Sequence, residues 1–177
     1  MKAKSLIVFL LTVIVFISCK SPKKELTEQE KMRNEILSIE KEIFKSEELD
    51  IDLAYKIIEK YVEFVNEFPK DTSAAEFLFK AAEISMNINE SEDAIALLTR
   101  IENNYKDYNN YPASIFLKAF IFENYIGDVE MAQKYYTLFL NDYPDHIIAK
   151  DAEAALMYLG MSDEQLLELF SVMNKYN

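Results

Sequence analysis

Carboxylates are the most abundant ionisable groups in this sequence, with 31 Asp and Glu against 19 Lys and Arg. Glu47, Glu48, Asp50 and Asp52 form one cluster, and Glu90, Glu92 and Asp93 form another. Such groups could hold a cation or act as an acid–base pair. Neither cluster has the ligand spacing of a calcium-binding loop. Both fall where a helix is predicted to start, and negative charge there complements the helix dipole. His146, the single histidine, follows Tyr-Pro-Asp. Catalysis would need a nucleophile and an orienting partner beside it, and the sequence places neither, so a surface or capping role is expected. One Cys and one His exclude a disulfide framework and a zinc ribbon. The two isolated glycines, Gly127 and Gly160, cannot build a phosphate-binding loop. The expectation is a protein without catalytic residues, metal or cofactor.

The elements behind these residues follow from composition. Of the 177 residues, 50% are hydrophobic, enough for a core and too many for a disordered chain. With 2 Gly and 4 Pro the chain lacks the turn residues of a sandwich or barrel. A net charge of −12 without a basic stripe argues against nucleic acid as partner.

The N-terminus carries Lys2 and Lys4, then an apolar run at residues 6–17 interrupted by Thr12. A membrane-spanning helix needs roughly 20 apolar residues, so the run has the length of a signal-peptide core instead. Phe16-Ile17-Ser18-Cys19 resembles the lipobox of bacterial lipoproteins, in which the Cys sulfur is acylated before cleavage. Phe16 departs from the Leu the family prefers, and Phe followed by Ser-Cys-Lys looks like signals from Bacteroidota. The resemblance implies a lipid on Cys19 and attachment to a membrane. Lys20, in place of the Asp that retains enterobacterial lipoproteins in the inner membrane, favours the outer membrane. Ser21-Pro22-Lys23-Lys24 lacks an acidic export tag, which favours the periplasmic face.

Thr27-x-x-Glu30 reads as a capping box. Met32, Ile36, Ile39 and Ile43 then make one apolar stripe on a helix ending near Ser46, either the first helix of an array or a short coiled coil. From Asp50 a pattern recurs. Ala54, Ala94 and Ala132 each open Ala-x-x-apolar-apolar-x-x-apolar, at intervals of 40 and 38 residues. Glu67-Phe68-Pro69-Lys70-Asp71, Asn104-Tyr105-Lys106-Asp107 and Asp142-Tyr143-Pro144-Asp145 close the units. Self-similarity at this period marks a repeat protein. Each period holds two helices. Asp71 to Ser73, Ser91 and Asp128 are predicted starts, Pro112 sits near a first helical position, and Gly127 and Gly160 turn the chain. Ser162-x-x-Gln165 is a second capping box. Leu78, Ala81, Ala82, Ser85, Phe116, Ala119, Phe120, Ala149, Ala152 and Leu156 face inward. The fold expected is all-α, a solenoid of helical hairpins. The chain divides into a signal peptide at 1–18, the lipid-bearing Cys19 and tether at 19–25, an N-terminal helix at 26–47 and an array at 48–177.

Residues 50–175 resemble the tetratricopeptide repeat. Ala94 and Ala132 fall at the family's small position in its second helix, and Pro144 at its terminal Pro. Ala82 and Phe120 stand where the family has Gly, Lys106 replaces a closing Pro, and the period is nearer 37–40 than 34. The divergent repeats look like those of the outer-membrane lipoprotein of the β-barrel assembly machine and of the Tol–Pal-associated periplasmic protein. The resemblance implies a scaffold that binds proteins of the cell envelope. Its peptide groove maps to Phe79, Glu83, Met86, Leu117, Ile121, Asn124, Tyr125, Lys150, Met157 and Tyr158. Some of these could instead pack against the N-terminal helix or against Leu166, Leu169 and Phe170. Tyr105, Tyr108 and Tyr111 recur in a loop read as longer than its counterparts. They could grip a partner or glycan, which would suit a lipoprotein for nutrient uptake, or fold back over the adjacent repeat.

Overall fold

Eight helices follow one another through the described part of the chain. The computed structural model describes residues 25–43, 45 and 50–175. The helices are α1 (Glu28–Ile43), α2 (Ile51–Glu67), α3 (Ala74–Asn87), α4 (Ser91–Asn104), α5 (Tyr111–Ile121), α6 (Val129–Asp142), α7 (Ala149–Tyr158) and α8 (Asp163–Lys175). A π-helical turn at Phe122–Ile126 extends α5. Among the described residues there is no strand. Cys19, the signal peptide and most of the tether lie outside the described residues, as do Ser46, Glu47 and Glu48.

Both capping boxes form. The Thr27 amide donates to Glu30 at 2.8 Å, and the Glu30 amide to Thr27 Oγ1 at 3.2 Å. The Ser162 amide donates to Gln165 at 2.8 Å, and the Gln165 amide to Ser162 Oγ at 3.3 Å. Asp50 and Asp128 accept the amides of Leu53 and Met131. Ser91 does not cap. It is the buried first residue of α4, after Glu90. Gly127 (φ 77°) ends the π turn, and its counterpart 38 residues earlier is Asn89 (φ 65°). Both take the left-handed conformation that reverses a helix.

Packing is sequential: each helix from α1 to α7 lies on its chain neighbours, which is the organisation of a solenoid. Ala54, Ala81, Ala82, Ala94, Ala119, Ala132 and Ala152 are fully buried. Their small side chains let helices cross closely, and Tyr61, Phe64, Leu78, Leu98, Ile101, Tyr136 and Phe139 fill the space around them. α1 packs on α2 as the first helix of a hairpin, burying Ile36 and Ile39. The hairpins are thus α1/α2, α3/α4, α5/α6 and α7/α8. The last is loosely closed, for α8 leaves Leu167 70% exposed and touches α7 through Tyr158 and Phe170, ring centroids 5.8 Å apart.

The hairpin junctions repeat bond by bond. The amides of Phe68, Tyr105 and Tyr143 donate to the carbonyls of Phe64, Ile101 and Phe139. Asp71, Tyr108 and His146 then donate to Phe68, Tyr105 and Tyr143, and Ala74, Tyr111 and Ala149 to Asp71, Tyr108 and His146. All three turns have the same length, so the tyrosine-rich turn is no longer than its counterparts, contrary to the sequence reading. The backbone, not the side chains, sets the turn, which is why three different sequences fit it. His146 fills one of these positions. Its Nδ1 accepts the Ile148 amide and its ring meets Phe139 edge-on.

Candidate functional site

The first helices of the hairpins stand side by side and carry one face of the stack. α1 meets α3 through polar contacts. Arg33 pairs with Asp71 and donates to Ser73 Oγ at 2.9 Å, and Gln29 also donates to Asp71. Further along, Lys80 pairs with Glu40 at 2.9 Å, and Glu40 also accepts the Tyr61 hydroxyl at 2.7 Å. The helices leave a cavity of about 230 Å³ lined by Arg33, Leu37, Glu40, Glu76 and Lys80. Beyond α3 a second depression of about 570 Å³ lies against the α4–α5 junction, with Glu76, Tyr105, Asp107 and Tyr108 in its wall.

On α3, Glu76, Phe79, Glu83 and Met86 follow at spacings of 3, 4 and 3 residues and so share one face. Phe79 is half-buried against Tyr108, with ring centroids 6.3 Å apart. The Tyr108 hydroxyl donates to Glu76. Glu83 is open to solvent, and among the described residues it makes no hydrogen bond or ion pair. Burial works against the charge on Glu40, but the hydrogen bonds from Tyr61 and Lys80 outweigh it and hold the carboxyl below its ordinary value. Asp71 is likewise held low against burial by Arg33 and the Ser73 amide. Glu83 moves the other way. The surrounding protein and then the Glu76 charge raise it, with Lys80 only partly opposing.

The other groove positions divide. Leu117 and Met86 are half-buried on this face. Ile121 is fully buried in the core and unavailable to a partner, which corrects its assignment to the groove. Asn124 and Tyr125 are exposed, but they sit in the π turn, where Asn124 donates to the Phe120 carbonyl and Tyr125 packs near Phe120. Lys150 and Met157 are exposed on α7, and Tyr158 packs against Phe170 of α8, the alternative left open for it. Tyr105 and Tyr108 fold back over the preceding hairpin, and Tyr111 packs forward against the next junction. The Tyr105 hydroxyl donates to the Pro69 carbonyl at 3.0 Å, Tyr108 is tied to Glu76, and Tyr111 is buried beside Tyr143.

Sequence reasoning missed Glu76, although one more turn along the same stripe reaches it. It also missed Arg33, Leu37, Glu40 and Lys80, whose roles depend on α1 lying beside α3. Among the described residues no group of acidic, His or Cys side chains could hold a metal ion, and no helix is long and apolar enough to cross a membrane.

One hairpin carries a family signature. Residues 113–146 match the family model of the tetratricopeptide repeat. The match runs through α5, the π turn, α6 and the junction to His146, and includes Ala132 and Pro144. The hairpins before it share its junction hydrogen bonds, so the tetratricopeptide-like architecture extends beyond the matched segment. A comparison with curated proteins found no match. Tetratricopeptide-like stacks are surfaces for binding proteins, and their first helices line the concave side.

Proposed function

We propose that this chain is a lipid-anchored scaffold, tethered through Cys19 to the periplasmic side of a bacterial outer membrane. Its open face holds a segment of an envelope protein during outer-membrane protein assembly or envelope organisation. The observation that carries the binding role is the row Leu37, Phe79, Met86 and Leu117. These apolar side chains stay partly or wholly accessible on the first helices while the alanine crossings behind them are fully buried. Anchoring would add to affinity by confining scaffold and partner to one surface, without any new contact. The nutrient-uptake reading would place a ligand on the tyrosine junction, where the Tyr105 and Tyr108 hydroxyls are already bonded to Pro69 and Glu76.

The test is recovery of the tagged full-length protein from native envelopes in mild detergent. Barrel-assembly or Tol–Pal components should accompany the wild type and be lost from the Leu117→Glu variant. Incorporated palmitate should be lost from Cys19→Ser. Unchanged partners with Leu117→Glu would remove the open face from the mechanism, and unchanged labelling of Cys19→Ser would remove the anchor.

A further inference from the structure

The charge on the open face is not balanced. Among the described residues, the two cations that join α1 to α3 and its head are paired: Arg33 with Asp71, and Lys80 with Glu40. Lys118 on α5 turns away from the face and pairs with Glu102 at 2.8 Å. Among the described residues, Glu76 is bonded by a neutral donor, the Tyr108 hydroxyl. Glu83, one helical turn from Phe79, stands open to solvent with no ion partner among the described residues. Two carboxylates thus flank the half-buried Phe79 and Tyr108 rings.

We propose that this part of the face receives a basic side chain of the partner segment, Lys or Arg, lying against Phe79 and Tyr108 with its charge at Glu83. The inference rests on the protein-binding reading above and names the chemistry of the partner. An aromatic face attracts a cation and an adjacent carboxylate neutralises it, whereas an acidic tail would meet the like charges of Glu76 and Glu83 while Arg33 and Lys80 are already paired. A second copy of this chain, at −12, would be repelled at long range, while a cationic segment is steered in.

The experiment uses the full chain in detergent micelles and two fluorescent peptides with the same leucine pattern, one with Lys and one with Glu at the polar positions. Anisotropy should show the Lys peptide binding about tenfold tighter than the Glu peptide near physiological salt. Glu83→Gln should weaken the Lys peptide about tenfold and leave the Glu peptide no weaker, and Phe79→Ala should weaken both. Glu130→Gln, which removes an exposed carboxylate at the start of α6, should change neither. Equal weakening by Glu83→Gln and Glu130→Gln would mean diffuse attraction and overturn the proposal. If both peptides bind alike and both are weakened by Phe79→Ala, the groove stands and the basic preference falls. If neither binds, groove and preference fall together. If the chain associates with itself through Glu83, the occupant is a second copy and the proposal fails.

Discussion

The Arg33 guanidinium lies 4.8 Å above the Phe64 ring while it pairs with Asp71 at the head of α3. One side chain thereby joins α1, α2 and the next hairpin, and it also approaches Phe77 at 5.9 Å. A flat, weakly hydrated cation suits that place, because it stacks on one partner and donates in its plane to another.

Arg33→Ala should lower stability by about 2 kcal/mol, from the lost stacking and charge-assisted bonds together. Arg33→Lys should recover only part of this, since a point charge cannot stack and fork at once. Urea unfolding followed by circular dichroism measures both. A change under about 0.5 kcal/mol for Arg33→Ala would show that α1 is held by Ile36 and Ile39 alone.

Acid should loosen α1 before the centre of the array. Asp71 and Glu40 sit below their ordinary values when folded. Their contribution is therefore present above the unfolded carboxylate value, about 4, and is lost as pH falls through it and below. Glu83, raised when folded, has the opposite sign: its ionisation costs stability as pH rises through its folded value, so its protonation offsets part of the loss. Amide hydrogen exchange, corrected for intrinsic rates, should show α1 losing protection near pH 4 while α4 and α6 keep theirs. Uniform loss across all helices would refute this order.

Lys118 is only 4% exposed and donates to Thr99 at 2.7 Å and Glu102 at 2.8 Å, with its ammonium 4.5 Å over the Tyr135 ring. Removing Glu102 leaves that charge buried without its counterion, so Glu102→Ala should cost about 3 kcal/mol. Lys118→Met keeps the volume and removes the charge, and should stay within about 1 kcal/mol of wild type. Calorimetric melting of the two variants gives the comparison. The reverse ranking would mean that the cation–π contact outweighs the desolvation.

Gly127 and Asn89 hold equivalent left-handed positions, and a Cβ at Gly127 would meet nothing within 4 Å. Gly127→Ala should therefore cost about 1 kcal/mol through the backbone alone. Asn89→Gly should be neutral or slightly stabilising, because it relieves the same strain. Melting temperatures of the two variants test the pair, and a large loss in Asn89→Gly would assign Asn89 a role beyond its φ.

Helices, capping boxes and the hairpin period were legible because they depend on residues a few positions apart. Thr27 and Glu30, Ser162 and Gln165, and Asp128 before Met131 meet across one turn. The recurring alanines were legible for a related reason, since a close crossing tolerates only a small side chain at each repeat. Ser91 misled because a good capping residue was also small enough to be buried as the first residue of α4. The tyrosines left two readings open, because an aromatic-rich junction looks the same whether its hydroxyls face solvent or the previous hairpin.

The sequence by itself determined an all-α chain cut into hairpins of regular length, since periodicity, caps and turns are local properties. Which side of each helix stays open was decided only by the tertiary structure. Leu117 and Ile121 lie one turn apart on the same helix, yet one is half-buried on the open face and the other is sealed in the core. Lys118, beside them, gives up solvent for Thr99 and Glu102. Burial is set by the helix that arrives from tens of residues away, and so is the pairing of Arg33 with Asp71. No window of neighbouring residues contains that information.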